Sequence, residues 1–109
     1  MEINGKLKKT NFNITALNGW TITDLVAYEQ DNEITVEFKA INNSNIDQSG
    51  YVAQVPAAYA PTKWKALTII AAQGGTYTPT SGFILNNGKM FFITTQNVTT
   101  VYITTQYSL

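Results

Sequence analysis

Residues 33–41 read Glu33-Ile34-Thr35-Val36-Glu37-Phe38-Lys39-Ala40-Ile41. Ile34, Val36 and Phe38 share one parity, and Glu33, Thr35, Glu37 and Lys39 the other. This period of two puts successive side chains on opposite faces of a β-strand. One face is dry and the other wet. Upstream, the turn-like Asn18-Gly19 gives way to Trp20-Thr-Ile22-Thr, again alternating, and Leu25–Tyr28 either extends that strand or starts another before the polar turn Glu29-Gln-Asp31-Asn32. Downstream, Asn42–Gly50 reads as a polar loop, and Tyr51, Ala53 and Val55 alternate up to Pro56, which cannot donate to a ladder. The two prolines of Pro56-Ala-Ala-Tyr-Ala-Pro61 make a corner.

Beyond that corner, Trp64, Ala66, Thr68, Ile70 and Ala72 share one parity and Leu67, Ile69 and Ala71 the other, which predicts a central strand apolar on both faces. Thr76–Pro79 reads as a short strand between the Gln73-Gly-Gly75 break and a second turn at Thr80-Ser-Gly82. A hairpin follows, with Phe83–Leu85 and Lys89–Thr94 as its arms and Asn86-Asn87-Gly88 as its turn. Gln96-Asn97 closes that arm, and Val98–Thr105 is the last strand, rich in β-branched residues. The expectation is an all-β chain of about eight strands with minimal helix, packed as an antiparallel, jelly-roll-like β-sandwich. Residues 1–19, with Lys6, Lys8 and Lys9 and only weak alternation, read as a neck or linker, and residues 20–109 as the head domain.

The 109 residues suit one domain. Only 13% are charged, against roughly 25% in ordinary soluble domains. Thr and Asn fill the missing surface. Seven lysines balance seven acids, so nothing would neutralise a run of nucleic-acid phosphates. No apolar run approaches a membrane helix of about 20 residues. With neither Cys nor His, disulfides, thiol nucleophiles, imidazole chemistry and most transition-metal sites drop out, and no cofactor is expected. All the acids precede residue 48, and Glu33 and Glu37 look like the solvated side of one strand, so no catalytic carboxylate pair is expected. Glu29-x-Asp31-x-Glu33 lacks the glycine and spacing of a calcium loop and reads as a hairpin turn. The chain is expected not to be an enzyme.

Two Trp, six Tyr and five Phe, set among Asn and Thr, suit saccharide binding, where rings stack on sugar faces and amides take their hydroxyls. Most aromatics of a small β domain are core, and Trp20, Phe38, Phe83, Phe92 and Trp64 sit among alternating apolar neighbours. Tyr77, Asn86, Asn87 and Tyr107 are freer and are the candidate ligand-binding residues, the asparagines lying at a hairpin tip. Trp64 joins them as a fifth candidate for its ring.

Trp20, the Gly50-Tyr-Val-Ala-Gln-Val-Pro56 run, Tyr59-Ala-Pro61 and the Asn87-Gly88-Lys-Met-Phe-Phe92 strand occur here in an order that resembles the C-terminal domain of receptor-binding, tail-fibre and baseplate proteins of phages and prophages of Gram-positive bacteria. The likeness runs from Trp20 to Tyr102; Val55 stands where many relatives have Leu. It implies a jelly-roll-like head that trimerises, joined to other phage tail proteins at the tail tip or baseplate of the virion, and binding polysaccharide of the host cell surface. The alternative is a structural tail module that docks other tail proteins without binding sugar.

Overall fold

The computed structural model describes residues 8–46, 50–93 and 98–109. Residues 1–7 of the expected neck, 47–49 of the polar loop and the strand end at Gln96-Asn97 lie outside them. Ten antiparallel strands run in chain order: β1 Lys9–Asn11, β2 Thr15–Ala16, β3 Thr21–Gln30, β4 Glu33–Ile46, β5 Gly50–Gln54, β6 Lys65–Ala66, β7 Thr68–Gln73, β8 Thr76–Ile84, β9 Lys89–Ile93 and β10 Val98–Ser108. The described residues contain no α-helix, only a single 3-10 turn at Ala57–Tyr59 between the two corner prolines.

The strands form one strongly curled sheet, a half-barrel in the order β1-β3-β4-β10-β7-β8-β9-β5-β2, with β6 paired to β8. This corrects the expectation of two separate sheets. The curl has two limbs, the first made of β1, β3, β4, β10 and β7 and the second of β6, β9, β5 and β2, and they are continuous because β8 belongs to both. Its first half pairs with β7, from Gln73↔Thr76 to Ile69↔Thr80, and its second half pairs with β6 and β9. The turn expected at Thr80-Ser-Gly82 is therefore a bend inside a strand. Glycine permits it, since a Cβ on Gly82 would lie 2.3 Å from Ile69 Cδ1 and 2.4 Å from the Phe91 carbonyl oxygen. Opposite this bend Leu67 turns inward and donates its N–H to the Gly82 carbonyl (2.9 Å), which splits the expected strand 64–72 into β6 and β7.

The opposite rim is bridged by the chain. β1 pairs with β3 and β2 with β5, the two ends of the sheet, yet only residues 12–14 separate them. Phe12 donates its N–H to the Ala27 carbonyl (3.1 Å) and Leu17 to the Val52 carbonyl (2.9 Å), while Phe12 and Ile14 pack on the core. From Lys9 onward, then, the stretch read as a neck supplies both edge strands.

Turn chemistry sets the register. Asp31 and Asn32 have φ of 54° and 65° and join β3 to β4 directly, Gln30 facing Glu33. Gly74 and Gly75, with φ of 56° and 85°, do the same between β7 and β8. Two central residues of positive φ match the twist of the strands they connect. Leu25–Tyr28 extends the strand of Ile22, past a bulge at Asp24 whose φ is 55°. β4 continues through Asn42–Ile46, where a loop is expected, because Ile46 faces Val98 of β10. Its 14 residues span about 45 Å at strand rise, in a molecule whose long dimension is 52 Å.

The core lies inside the curl. Ile34, Val36 and Phe38 of β4, Ile69 and Ala71 of β7, Val101 and Ile103 of β10, and Val52, Ile84, Met90 and Phe92 of the second limb are buried together, with Trp20 edge-on to Phe92 at 5.7 Å. The expectation of two dry faces on 64–72 fails, since Trp64, Ala66 and Thr68 are exposed and Ile70 and Ala72 half-buried.

Candidate functional site

The outer face of the second limb carries a row of aromatic rings. On β8 and β9 Phe83 faces Phe91, and on β5 Tyr51 faces Phe91 from the other side. Ring centroids are 5.8 Å apart in the first pair and 5.9 Å in the second. Trp64, leading into β6, closes the group at 6.1 Å from both Phe83 and Phe91. Cross-strand aromatic contacts usually come with burial. Here Trp64 is 55% exposed and Tyr51 40%, and both phenylalanines are only half-buried.

Local structure explains why these rings point outward. Phe91 and Phe92 are neighbours on one strand and must face opposite sides; Phe92 takes the core. Phe83 lies between the buried Gly82 and Ile84, so its parity is outward, against the expectation of a core ring. In β5 the register shifts between Tyr51 and Ala53, so Val52 and Ala53 are both buried and Tyr51 turns away. That bulge overrides the simple alternation of Tyr51 with Ala53 and Val55. Trp64, also expected in the core, stands outside because β6 pairs Ala66 with Phe83, which places its parity on the outer face.

A pocket of about 240 Å³ is lined by Gly50, Tyr51, Trp64, Leu85 and Phe91. Lys89 holds its Nζ 5.3 Å from the centre of the Tyr51 ring. Just after Leu85 comes the Asn86-Asn87-Gly88 tip, where the N–H of Gly88 donates to Leu85 (2.9 Å) and that of Leu85 to Lys89 (2.8 Å). Gly88, at φ 89°, is the residue the tip demands, since a Cβ would approach the Val55 carbonyl oxygen to 2.3 Å. Asn87 is fixed at both ends: its Oδ1 accepts the Lys89 N–H (3.0 Å) and its carbonyl accepts Gln54 Nε2 (3.1 Å). Both asparagines are exposed. Trp64, Asn86 and Asn87 thus gather at one end of one limb.

The other two candidates do not join them. Tyr77 is 63% exposed but lies six residues before Phe83 along β8, about 20 Å at strand rise. It neighbours Tyr102 (6.4 Å), which Lys39 approaches at 5.8 Å, and the half-buried Ile70 and Ala72 complete a separate apolar patch on the first limb. Tyr107 is a correction. It is 5% exposed, its hydroxyl donates to the Tyr59 carbonyl, and Phe12 stacks on the Tyr59 ring at 4.3 Å. Burial holds its phenol above the ordinary range. Tyr107 belongs to β10 at inward parity and pins the Pro56–Pro61 corner, so it is buried rather than free.

Carboxylates gather less well. Asp24 and Glu37 line a hollow of about 210 Å³ with Lys39 and Tyr102, and both side chains are exposed. Glu29 accepts the Asn32 N–H (2.8 Å) and Glu33 accepts the Ser108 hydroxyl, so two of the three acids of 29–33 are engaged in the hairpin and its neighbour. Among the described residues no cluster of three or more acids is placed to hold a metal ion. Compared with known proteins, the chain matches no family model and no curated sequence.

Proposed function

We propose that this chain is a non-enzymatic adhesion head that recognises saccharide of a host cell wall, displayed as a trimer at the tail tip or baseplate of a phage. The supporting observation is the solvent-facing row Trp64–Phe83–Phe91–Tyr51 beside the amides of Asn86 and Asn87. Sugar rings present C–H faces to aromatics and hydroxyls to amides, and a rigid sheet holds both sets without ordering them at each binding event. The proposal extends to the fold: the two limbs correspond to the layers of a jelly-roll-like sandwich, joined at β8. A single shallow pocket gives weak binding, which three linked copies multiply. The patch of Tyr77, Tyr102 and Ile70 on the first limb favours contact with further copies or with other tail proteins, the assembly role that is the second reading.

Two measurements test this. The mass in solution is expected near three times 12.0 kDa. Titration with wall polysaccharides of Gram-positive bacteria is expected to quench the emission of the exposed Trp64, and Trp64→Ala to remove binding without unfolding the chain. Binding to a tail protein but to no wall polysaccharide would leave the assembly role in its place.

A further inference from the structure

The dipeptide Asn-Gly occurs at Asn18-Gly19 and Asn87-Gly88 among the described residues, while Asn4-Gly5 lies outside them. The fold puts the two described pairs at different places in a turn. In the turn 17–20 the closing bond is donated by the fourth residue, from the Trp20 N–H to the Leu17 carbonyl (3.1 Å), so Asn18 and Gly19 are its central residues, with φ of 55° and 82°. In the tip 85–88 the glycine is itself the fourth residue, and its N–H makes the closing bond. Asn18 and Gly19 are exposed, whereas Gly88 is buried. The turn 17–20 has two further bonds, from Asn18 Nδ2 to the Tyr51 carbonyl (2.9 Å) and from Asn42 Nδ2 to the Asn18 carbonyl (3.1 Å). The tip has four, because Val55 donates its N–H to the Gly88 carbonyl (2.9 Å) in addition to the bonds of Leu85, Gln54 and Lys89.

From this we infer that Asn18 is a site of spontaneous modification in the folded chain, passing through a succinimide to aspartate and isoaspartate, and that the tip protects Asn87 from the same reaction. The Gly19 nitrogen gives its proton to solvent base and forms a bond to Asn18 Cγ, the Cγ–Nδ2 bond breaks, and Nδ2 leaves as ammonia. Water then opens the five-membered ring at either carbonyl and leaves a carboxylate. The attacking nitrogen must be open to solvent base. That of Gly19 sits in an exposed turn that Trp20 closes, while that of Gly88 is buried and engaged in closing its own. The carboxamide must also swing over the nitrogen, which takes a local opening, and openings are rarer where more hydrogen bonds hold a segment. The product alters the anchor of this turn on β5. The amide that donates to the Tyr51 carbonyl becomes a carboxylate with no proton to give, and in isoaspartate the backbone between Leu17 and Trp20 lengthens by a methylene.

Mass spectrometry of the whole chain, aged in mildly alkaline buffer and then cut with trypsin, tests this. Tryptic peptides 10–39 and 66–89 carry the two sites separately, and fragment spectra locate a gain of about 1 Da at Asn18 or at Asn87. In the folded chain Asn18 is expected to convert about tenfold faster than Asn87, from the extra hydrogen bonds of the tip, each of modest net worth. In urea the two sites keep the same dipeptide but lose their turns, and they are expected to convert at similar rates. No conversion of Asn18 in the folded chain, or conversion of Asn87 at an equal or greater rate, would overturn the inference. So would the same preference for Asn18 persisting in urea, because the residues flanking each dipeptide, and not the turns, would then set it.

Discussion

The chain holds two tryptophans in two aromatic groups of opposite fate, a buried pair and an outward row of four rings. Trp20 is 5% exposed and meets Phe92 edge-on inside the curl, whereas Trp64 is 55% exposed and meets Phe91 outside it. Phe91 and Phe92 are adjacent in sequence, so the two groups are separated by one strand's thickness. The inner group closes a core between the limbs. The outer one has more ring contacts but lies against no described element, so its rings contribute little that folding needs. A surface that a fold does not require is where a function is most economically sought.

The largest test of this contrast is the phenylalanine pair. Phe92→Ala is expected to cost about 3–5 kcal/mol, transfer and cavity terms together. Phe91→Ala should cost no more than about 1 kcal/mol, the loss of ring contacts at a half-exposed site. Urea midpoints of the two variants check this. Equal costs would mean that the outer rings are covered in solution, and would turn the platform into an interface.

The bend that keeps the two groups apart gives the next effect. At Gly82 a methyl group has no room, against Ile69 on the inside and the Phe91 backbone alongside. Gly82→Ala is expected to cost about 1–3 kcal/mol by overpacking, while its exposed neighbour Ser81→Ala stays within about 0.5 kcal/mol. A neutral Gly82→Ala would show that the limbs can open at β8, and the contrast between inner and outer faces would blur.

These residues also show what the sequence could convey. Strict alternation in 33–41 places Ile34, Val36 and Phe38 inside, and the Asn-Asn-Gly tip turns where its residues say. Both signals are local: a strand's parity and a turn's φ angles depend on near neighbours alone. The outward rings are another matter. The doublet Phe91-Phe92 does announce that one ring must leave the core, yet which one depends on the side of β9 that meets Trp20. Tyr51 turns outward only because a bulge shifts β5 by one residue, and a bulge follows from pairing with β9 across the chain. Trp64 and Phe83 look like core from their apolar neighbours; the curl of the sheet at Gly82 decides otherwise. Tyr107, read as free near the chain end, is buried because the Pro56–Pro61 corner folds over it, a contact 48 residues distant.

Tyr107 supplies a smaller and pH-dependent effect. Tyr107→Phe removes one buried hydrogen bond and is expected to cost about 1 kcal/mol at neutral pH. An unfolded tyrosine loses its proton around pH 10.0, while burial makes folded Tyr107 keep its proton to higher pH. Above pH 10 the unfolded state therefore holds fewer protons than the folded one, and stability falls as pH rises. Stability against pH, measured between neutral and strongly alkaline solution, should decline in the wild type and be flatter in Tyr107→Phe. Parallel curves would mean that Tyr107 is reached by water, and that the inner face near the corner is less closed than Trp20 and Phe92.

The smallest effect on stability belongs to Trp64 itself. Trp64→Phe keeps an aromatic ring in the row and should change stability by no more than about 0.5 kcal/mol. Its spectroscopic consequence is large, because the two tryptophans then cease to overlap. Wild-type emission should contain a red, acrylamide-quenchable component from Trp64 and a blue, protected one from Trp20. The variant should retain only the protected component. If the quenchable component is absent from the wild type as well, Trp64 is shielded in solution by another molecule of the chain. The outer group would then be doing for an assembly what Trp20 and Phe92 do for the single chain, and the two clusters would differ only in which surface covers them.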